Sequence, residues 1–419
     1  MEMTLDSDIL KIFEVPATPA TPAAPVATVA PGGDLVAAVQ TAQAAQASQA
    51  RAIDAAYNFE AERSARGAVS GQDAEMAAMA QAAQTVMQLA TGYMGSAALH
   101  VATRLNIAEQ LADGPMTIDA LAQQSGVKAD PLYRVMRALA AAGLFEEQAA
   151  RTFALTRASA LLRAHPGSLR DIAMFLTDRM HFRTYGEMMH TVETGQPAIE
   201  RVAGVPVFEL FARDVDESEL FNDAMTSMSA AIIPAVLQAY DFSGVTVLAD
   251  IAGGHGRMLG EILRTYPDMS GMLFDIDHVV AGAYANLAAM EIADRCETLS
   301  GDFFYSVPRG ADTYLMKHII HDWDDDKAGI ILRNVRAALA DRADGRLLLV
   351  ESVIPSGSAS QNPHIATLGD LEMMLLPGGR ERTADEFRVL LASAGFELTR
   401  IIPTASMVSV IEARIRSSR

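Results

Sequence analysis

The chain has 419 residues, half of them hydrophobic, and a formal net charge of −19. That length accommodates two domains and a sizeable core, while the acidic balance disfavours nucleic acid and anionic membrane surfaces, which repel a polyanion. A single cysteine, Cys296, excludes an intrachain disulfide and a cysteine-based metal cluster, which suits the reducing cytoplasm expected for this protein.

No apolar run reaches the roughly 18 residues of a membrane helix. The N-terminus, MEMTLDSDILKIF, is acidic where a signal peptide would be basic. Residues 1–84 read as an extension. Pro16 to Pro31 alternate proline with Ala, Thr and Val, which favours an extended, solvated chain, and the Ala/Gln-rich stretch behind it favours a marginal helix. Ahead of them Leu5, Ile9, Leu10, Ile12 and Phe13 form an apolar cluster suited to a docking peptide for an unknown partner.

From about Glu75 to Gly114-Pro115, apolar residues recur at helical spacing. Thr117 is placed to cap a short helix that Gly126 ends. A second helix over Pro131 to Ala142 carries Leu132, Val135, Met136 and Leu139 on one face and stops at Gly143. A strand pair follows between Leu144 and Leu155, so the order is that of a winged helix. Residues 168–240 read as more helices, turning at Gly195 and Gly204. From Val245 strands alternate with helices: 245–251, 271–276, 296–300, 312–318 and 346–352, then FELTRII and MVSVIEA. Repeated strand–helix units imply a parallel sheet covered on both faces. The expected fold is therefore α/β: a Rossmann-like doubly wound sheet over 243–419, preceded by a mostly helical, winged-helix-like domain over 85–242.

The first strand of the sheet ends in Asp250-Ile251-Ala252-Gly253-Gly254-His255-Gly256. Such a turn lets a ligand approach the backbone and meet helix N-terminal amides. It departs from the dinucleotide spacing, because Leu259 occupies the last glycine position. Asp275 ends the second strand and Asp302 follows the third. A single acid there is as readily a helix cap or a solvated loop residue. Three carboxylates at successive strand ends beside a glycine turn point to a nucleoside crevice. His321 follows the fourth strand in KHIIHDWDDD. A lone histidine is more often a structural hydrogen-bond group, although its pKa near 6.5 suits proton removal at neutral pH. Asp322 orients the loop or caps the helix that begins near Asp324, and Trp323 is core or pocket wall. Neither His-x-x-x-His nor His-Glu-x-x-His occurs, so no metal site is expected.

Through LADIAGGHG (248–256), LFDIDHV (273–279), GDFF (301–304), KHIIHDWDDD (317–326), VESVIP (350–355) and GGRERTADEF (378–387), the chain resembles a family of S-adenosylmethionine-dependent O-methyltransferases. That family includes plant caffeic acid enzymes, mammalian acetylserotonin (hydroxyindole) enzymes and many bacterial natural-product methyltransferases. The resemblance spans roughly residues 85–415. It implies a cofactor site of Asp250, Gly253, Gly254, Gly256, Asp275, Asp302, Phe303 and Lys317. In it the glycine turn supports the methionine moiety, Asp275 holds the ribose, and Asp302 and Phe303 flank the adenine. At Ala252 the family usually has glycine. The resemblance makes His321 the general base and Glu351 and Glu381 its supporting acids. It places Phe175, Phe182, Tyr185, Met225, Met228 and Met373 along the acceptor pocket, where methionines adapt to planar apolar substrates and ordinary core packing is an equally common role. Glu372 stands where apolar or neutral residues are usual, facing a polar group of the acceptor or solvent. The helical domain implies a homodimer whose partner contributes to the active site.

The implied reaction moves a methyl group from S-adenosylmethionine to a hydroxyl oxygen, phenolic in character, of a small secondary metabolite. It leaves S-adenosylhomocysteine and needs no metal. Two other readings stay open. Some same-fold enzymes use the cofactor for decarboxylation, hydroxylation or C-methylation, but those often lose the histidine kept here. A winged-helix DNA-binding regulator would need a basic recognition helix, and this one offers only Arg134 and Arg137.

Overall fold

The computed structural model describes residues 71–416 apart from 166, 340, 341, 343 and 356–364. The apolar cluster at residues 5–13, the proline-rich linker and the Ala/Gln-rich stretch up to residue 70 lie outside the described residues. The first described helix, α1 (Gly71–Arg104), crosses residue 85 without a break. The periodicity predicts helix on to Gly114, but the chain turns at Asn106, which has φ 52°, before α2 (Ile107–Gln110). Asparagine tolerates this left-handed conformation, and Asn106 Oδ1 accepts a hydrogen bond from Arg170 Nε at 3.1 Å.

Next come β1 (Met116–Thr117), α3 (Ile118–Ser125), α4 (Ala129–Ala141), β2 (Phe145–Ala149) and β3 (Thr152–Leu155): the two helices and the strand pair are in the order expected, and β1 is an addition. The strands form an antiparallel sheet ordered β1-β3-β2. Thr117 Oγ1 accepts from Ala120 N at 3.3 Å and Gly126 closes α3 at φ 67°. Leu132, Met136 and Leu139 bury one face of α4.

A helical segment follows: α5 (Arg157–Ala160), α6 (Arg170–Leu176), α7 (Arg179–Gly186), α8 (Met188–Thr194), α9 (Ala198–Ala203), α10 (Val207–Arg213) and α11 (Val215–Ala239). Against the expectation of no membrane-length run, α11 is long and apolar enough for one by length and composition. Its C-terminal half packs Ile232, Ile233 and Val236 into the core beneath the sheet, and 33% of the apolar window is buried.

The remainder alternates as β4 (Val247–Ile251), α12 (Arg257–Thr265), β5 (Ser270–Asp275), α13 (Asp277–Ala289), β6 (Cys296–Ser300), β7 (Thr313–Lys317), α14 (Asp325–Ala338), β8 (Arg346–Glu351), β9 (Val353–Ile354), α15 (Ile365–Leu375), β10 (Arg382–Thr383), α16 (Ala384–Ser393), β11 (Phe396–Pro403) and β12 (Ser409–Ile415). The seven-stranded sheet runs β11-β12-β8-β7-β4-β5-β6. The five strands from β8 to β6 are parallel, and the late hairpin adds β12 antiparallel to β8. One apolar cluster packs around Tyr314, Ile331 and Phe387, the other around Leu259, Leu273 and Val350. After β6 the chain returns to the other side of β4 to form β7. The order thus reverses between β4 and β7, and their C-terminal ends frame the crevice where open α/β sheets bind ligands. A second pairing matters for the site. Arg382 and Thr383 of β10 run parallel to Val353 and Ile354 of β9, which lays residues 378–383 beside the end of β8.

Candidate active site

Four positions in the turn after β4 carry distinct constraints. Ala252 has φ 56°, a conformation that favours glycine, so the family's usual glycine has a backbone reason. A Cβ on Gly253 would lie 2.5 Å from Leu273 Cδ1 and 2.6 Å from Asp250 Cγ, and one on Gly256 would lie 2.9 Å from Leu287 Cδ2. These two glycines let the turn settle onto the sheet. Gly254, at φ 60°, has nothing within 4 Å on that side, so its outer face is open. Its N–H donates to Asp275 Oδ2 at 2.8 Å, and Ile276 N donates to Asp275 Oδ1 at 2.8 Å.

Asp250 lies beneath this turn. Burial pushes its pKa up to about 7, opposed by Lys317 and reinforced by Asp275, and its Oδ2 has no hydrogen-bond partner. Burial pulls the Lys317 pKa down, against Asp250, Glu351 and Asp322. Asp302 is exposed, and its Oδ1 accepts from Phe304 N at 2.7 Å, which shapes the turn after β6. Phe303 is half-buried, with its ring 4.9 Å from Phe304 and 6.1 Å from Trp323. Trp323 meets Phe304 edge-on at 4.8 Å, so it belongs to this aromatic wall.

His321 sits in a short 3₁₀ turn, Ile320–Asp322, just past β7. Its Nδ1 lies 2.9 Å from Glu381 Oε1, where only the ring N–H can donate, and 3.6 Å from Glu351 Oε2. Its Nε2 is 3.5 Å from Asp322 Oδ1. Asp322 therefore faces the imidazole, and Asp324 caps α14 by accepting from Lys327 N at 2.8 Å. Burial alone would lower the His321 pKa. The carboxylates of Glu351, Asp322 and Glu381 outweigh it and raise it to about 10. Burial pushes Glu351 up to about 7, against the pull of His321. Glu351 is also a brace: its Oε1 accepts from the backbone N–H groups of Ile319 and Ile320 at 3.1 and 2.9 Å. Sequence reasoning assigned no role to His318. It sits at φ 54°, its ring 5.0 Å from that of His321, and burial, His321 and Lys317 hold its pKa well below the usual range.

His321, Glu351 and Glu381 offer ligand atoms within 4.8 Å of one another, so the trio could hold a cation. The same atoms also make hydrogen bonds, while Glu351 Oε2 and Glu381 Oε2 are buried without a partner. At 2.9 Å the imidazole N–H points at the carboxylate, and Glu351 Oε1 is committed to the backbone.

Arg382, which sequence reasoning missed, holds this loop. Its fully buried guanidinium donates from Nη1 to Ile320 O at 3.1 Å, from Nη2 to Trp323 O at 2.9 Å, and from Nε and Nη2 to Asp325 Oδ1 at 3.0 and 2.8 Å. Arg380 N donates to His321 O at 2.8 Å, and a side chain on Gly379 would fall on that same carbonyl. The available signal was the density of Gly, Arg and Glu in GGRERT, but its targets are backbone atoms about sixty positions away.

The proposed acceptor residues divide. Phe175 and Met225 pack in one apolar cluster, Phe175 fully within it, while Met228 packs against the sheet-side core. Phe182 and Tyr185 are partly exposed, and Met373 is half-buried on α15. Glu372 faces neither solvent alone nor an empty pocket. It accepts from Tyr185 Oη at 2.7 Å and from His181 Nε2 at 2.8 Å, while His181 Nδ1 lies 2.8 Å from Asp178 Oδ1. Both ring nitrogens must donate, which makes His181 an imidazolium. Burial opposes that charge, but Asp178 and Glu372 outweigh it and raise the pKa to about 9.

A family model for the O-methyltransferase domain matches residues 185–397, and one for the O-methyltransferase dimerisation domain matches residues 87–164. The chain is 41% identical to the phenazine O-methyltransferase PhzM of Lysobacter antibioticus over 78% of its own length and 95% of that protein. It is 32% identical to the 8-amino-8-demethylriboflavin N,N-dimethyltransferase of Streptomyces davaonensis, over 80% and 95%. The structure of human N-acetylserotonin methyltransferase in complex with S-adenosylmethionine superposes with a TM-score of 0.71 at 25% identity, covering 80% of this chain and 98% of that one. The chain belongs to the O-methyltransferase family.

This methyltransferase uses S-adenosylmethionine, and the dimerisation match supports a homodimer. The residues present fit that cofactor. The backbone is open at Gly254, each Asp275 oxygen keeps a lone pair beyond its backbone bond, and the buried Asp250 Oδ2 has no partner.

Proposed function

We propose that the enzyme methylates a hydroxyl oxygen, phenolic in character, of a small secondary metabolite, with His321 as general base. When bound, the cofactor supplies a methyl group on a sulfonium, whose thioether leaves without needing a proton. The demand on the protein is therefore to take the acceptor's proton. His321 is equipped for that. Glu381 fixes the tautomer by accepting from Nδ1, which leaves Nε2 for the acceptor, and three carboxylates stabilise the imidazolium that forms. The neighbouring carboxylates raise the pKa of His321, which makes the neutral imidazole a stronger base toward an acidic hydroxyl such as a phenol. The His321–Glu381 bond carries this reading. Asp275 would take the ribose hydroxyls, the turn at Gly253, Gly254 and Gly256 the methionine end, and Asp302 and Phe303 the adenine, with Asp250 and Lys317 beneath.

A second reading is nitrogen methylation, favoured by the 32% identical N,N-dimethyltransferase. Screening phenolic, arylamine and polyketide-like acceptors with labelled S-adenosylmethionine, and locating the label by mass spectrometry, separates the two. His321→Ala should reduce oxygen methylation by about 10²- to 10⁴-fold while cofactor affinity stays nearly unchanged. Survival of turnover in that variant would remove the general-base assignment.

A further inference from the structure

Helix α15 has few apolar anchors. Of its 11 residues Ala366 and Leu375 are buried, while Ile365 and Leu368 are exposed. Two of its acids add polar ties. Asp370 Oδ1 accepts from Glu381 N at 2.8 Å. Two residues further on, Glu372 accepts from His181 Nε2 at 2.8 Å and from Tyr185 Oη at 2.7 Å. A Cβ on Gly369 would lie 3.7 Å from Glu381 Oε1, so the helix backbone packs beside the carboxylate that accepts from His321 Nδ1.

The His181 end of this connection is firm. Asp178 caps α7, its Oδ1 accepting from His181 N at 2.6 Å and lying 2.8 Å from His181 Nδ1. The His181 side chain is 2% exposed, and the Phe175 ring meets it edge-on at 4.4 Å. Each ring nitrogen is thus bonded to a carboxylate from a different part of the chain, in a setting that excludes water. Charge-assisted bonds of this kind are shorter and stronger than neutral ones, and low local polarity strengthens them. We infer that His181 is a positioning residue for His321: it bolts α15 to α7 through Glu372, and α15, through Asp370 and the backbone at Gly369, holds Glu381 against His321 Nδ1. A displacement of about 1 Å in such a chain is enough to spoil the alignment of a catalytic group. The inference rests on the reading of His321 as the base and adds what aligns its acid. The bond it concerns exists in the resting protein, so no acceptor is needed to observe it.

The test uses the full chain, labelled with ¹⁵N-histidine and saturated with S-adenosylhomocysteine. The His321 Nδ1 proton, bonded to a buried carboxylate, gives a downfield resonance that is assigned by its absence in His321→Ala. In His181→Gln this proton should exchange with water at least about tenfold faster, because the bond opens more often. Glu372→Leu should do the same. Glu372→Gln should stay within about threefold of wild type, since its amide oxygen can accept from His181 and its amide nitrogen can donate to Tyr185. Glu412→Gln is the control: this buried acid of β12 is bonded to Tyr240, Thr399 and Arg400, so its loss weakens the fold without touching α15. Its resonance should also stay within about threefold. S-adenosylhomocysteine binding and far-UV circular dichroism show that each variant is folded, and the two Glu372 variants carry the comparison if His181→Gln does not fold. An unmoved resonance in His181→Gln and Glu372→Leu would overturn the inference. So would an equal change in Glu412→Gln, since the effect would then be one of general stability. Turnover surviving in His321→Ala would remove the base and leave the resonance result standing, so the two readings fail separately.

Discussion

At His321 two effects oppose each other and the larger decides the chemistry. Desolvation favours neutral imidazole, and the carboxylates of Glu351, Asp322 and Glu381 favour imidazolium strongly enough to raise the pKa to about 10. The base form therefore increases with pH, and the rate should rise along with it. Glu381→Gln removes one negative charge, so the proton leaves more readily and the midpoint of the rising limb should move to lower pH. The expected shift is about one unit, the lower end for an opposite charge at hydrogen-bond distance. A pH–rate profile checks this, and a midpoint that stays or rises would show that Glu381 does not act through its charge. Ala252 poses a backbone question. A non-glycine residue at φ 56° costs roughly 1–2 kcal/mol, while glycine adds about 0.5–1 kcal/mol of unfolded-state entropy. Ala252→Gly should therefore raise stability by up to about 1.5 kcal/mol, read as a higher melting temperature with cofactor affinity kept. A lower melting temperature would mean that the methyl group packs better than the strain costs.

At the level of elements, the His321 turn is held by the pairing of β9 with β10. That register sets Arg382 under the 3₁₀ turn, where it satisfies the carbonyls of Ile320 and Trp323. Arg382→Ala takes the donor from the Trp323 carbonyl and two donors from Asp325 Oδ1, while Ile320 O keeps its bond from Trp323 N; at ~1–3 kcal/mol for each group left unsatisfied, a destabilisation of about 2–4 kcal/mol is expected from denaturant titration. Activity should fall further than stability alone explains, because His321 loses its support. A loss below about 0.5 kcal/mol, the range of ordinary surface changes, would mean that the loop holds itself. Helix α15 is a second connecting element. Asp370 accepts from Glu381 N at 2.8 Å, and Glu372, further along the same helix, binds the imidazolium of His181. The helix thus links His181 of α7 to Glu381, the acid that accepts from His321.

At the level of the whole molecule, the reversal of strand order between β4 and β7 brings the glycine turn and the His321 turn to the same end of the sheet. The proposed reaction needs that arrangement, since a donor at the glycine turn and a base at His321 must share one crevice. The net charge of −19 bears on the DNA-binding alternative. No retardation of duplex DNA is expected in a mobility-shift titration at low salt, where non-specific phosphate attraction is strongest. A specific, salt-dependent shift would restore the regulator reading.

The features legible in the sequence were local or periodic. Strands and helices of the sheet followed from apolar runs punctuated by turns, the cap at Thr117 and the stop at Gly126 from single-residue preferences, and Asp250, Asp275 and His321 from their places at strand ends. What stayed hidden depends on partners far apart in the chain. Asp178, His181 and Glu372 are polar residues in apolar surroundings, and only packing shows that they bind one another across 191 positions. Arg382 and Gly379 act on backbone carbonyls, which leave no mark in a pattern of side chains. The sequence by itself determined the main strands and helices of the sheet, because those rest on periodicity, and its resemblance to a known family singled out the histidine and its acids. The tertiary structure decided which oxygen meets which nitrogen, how far burial and neighbouring charge move His321, and what braces its loop, because these depend on distances that only folding sets.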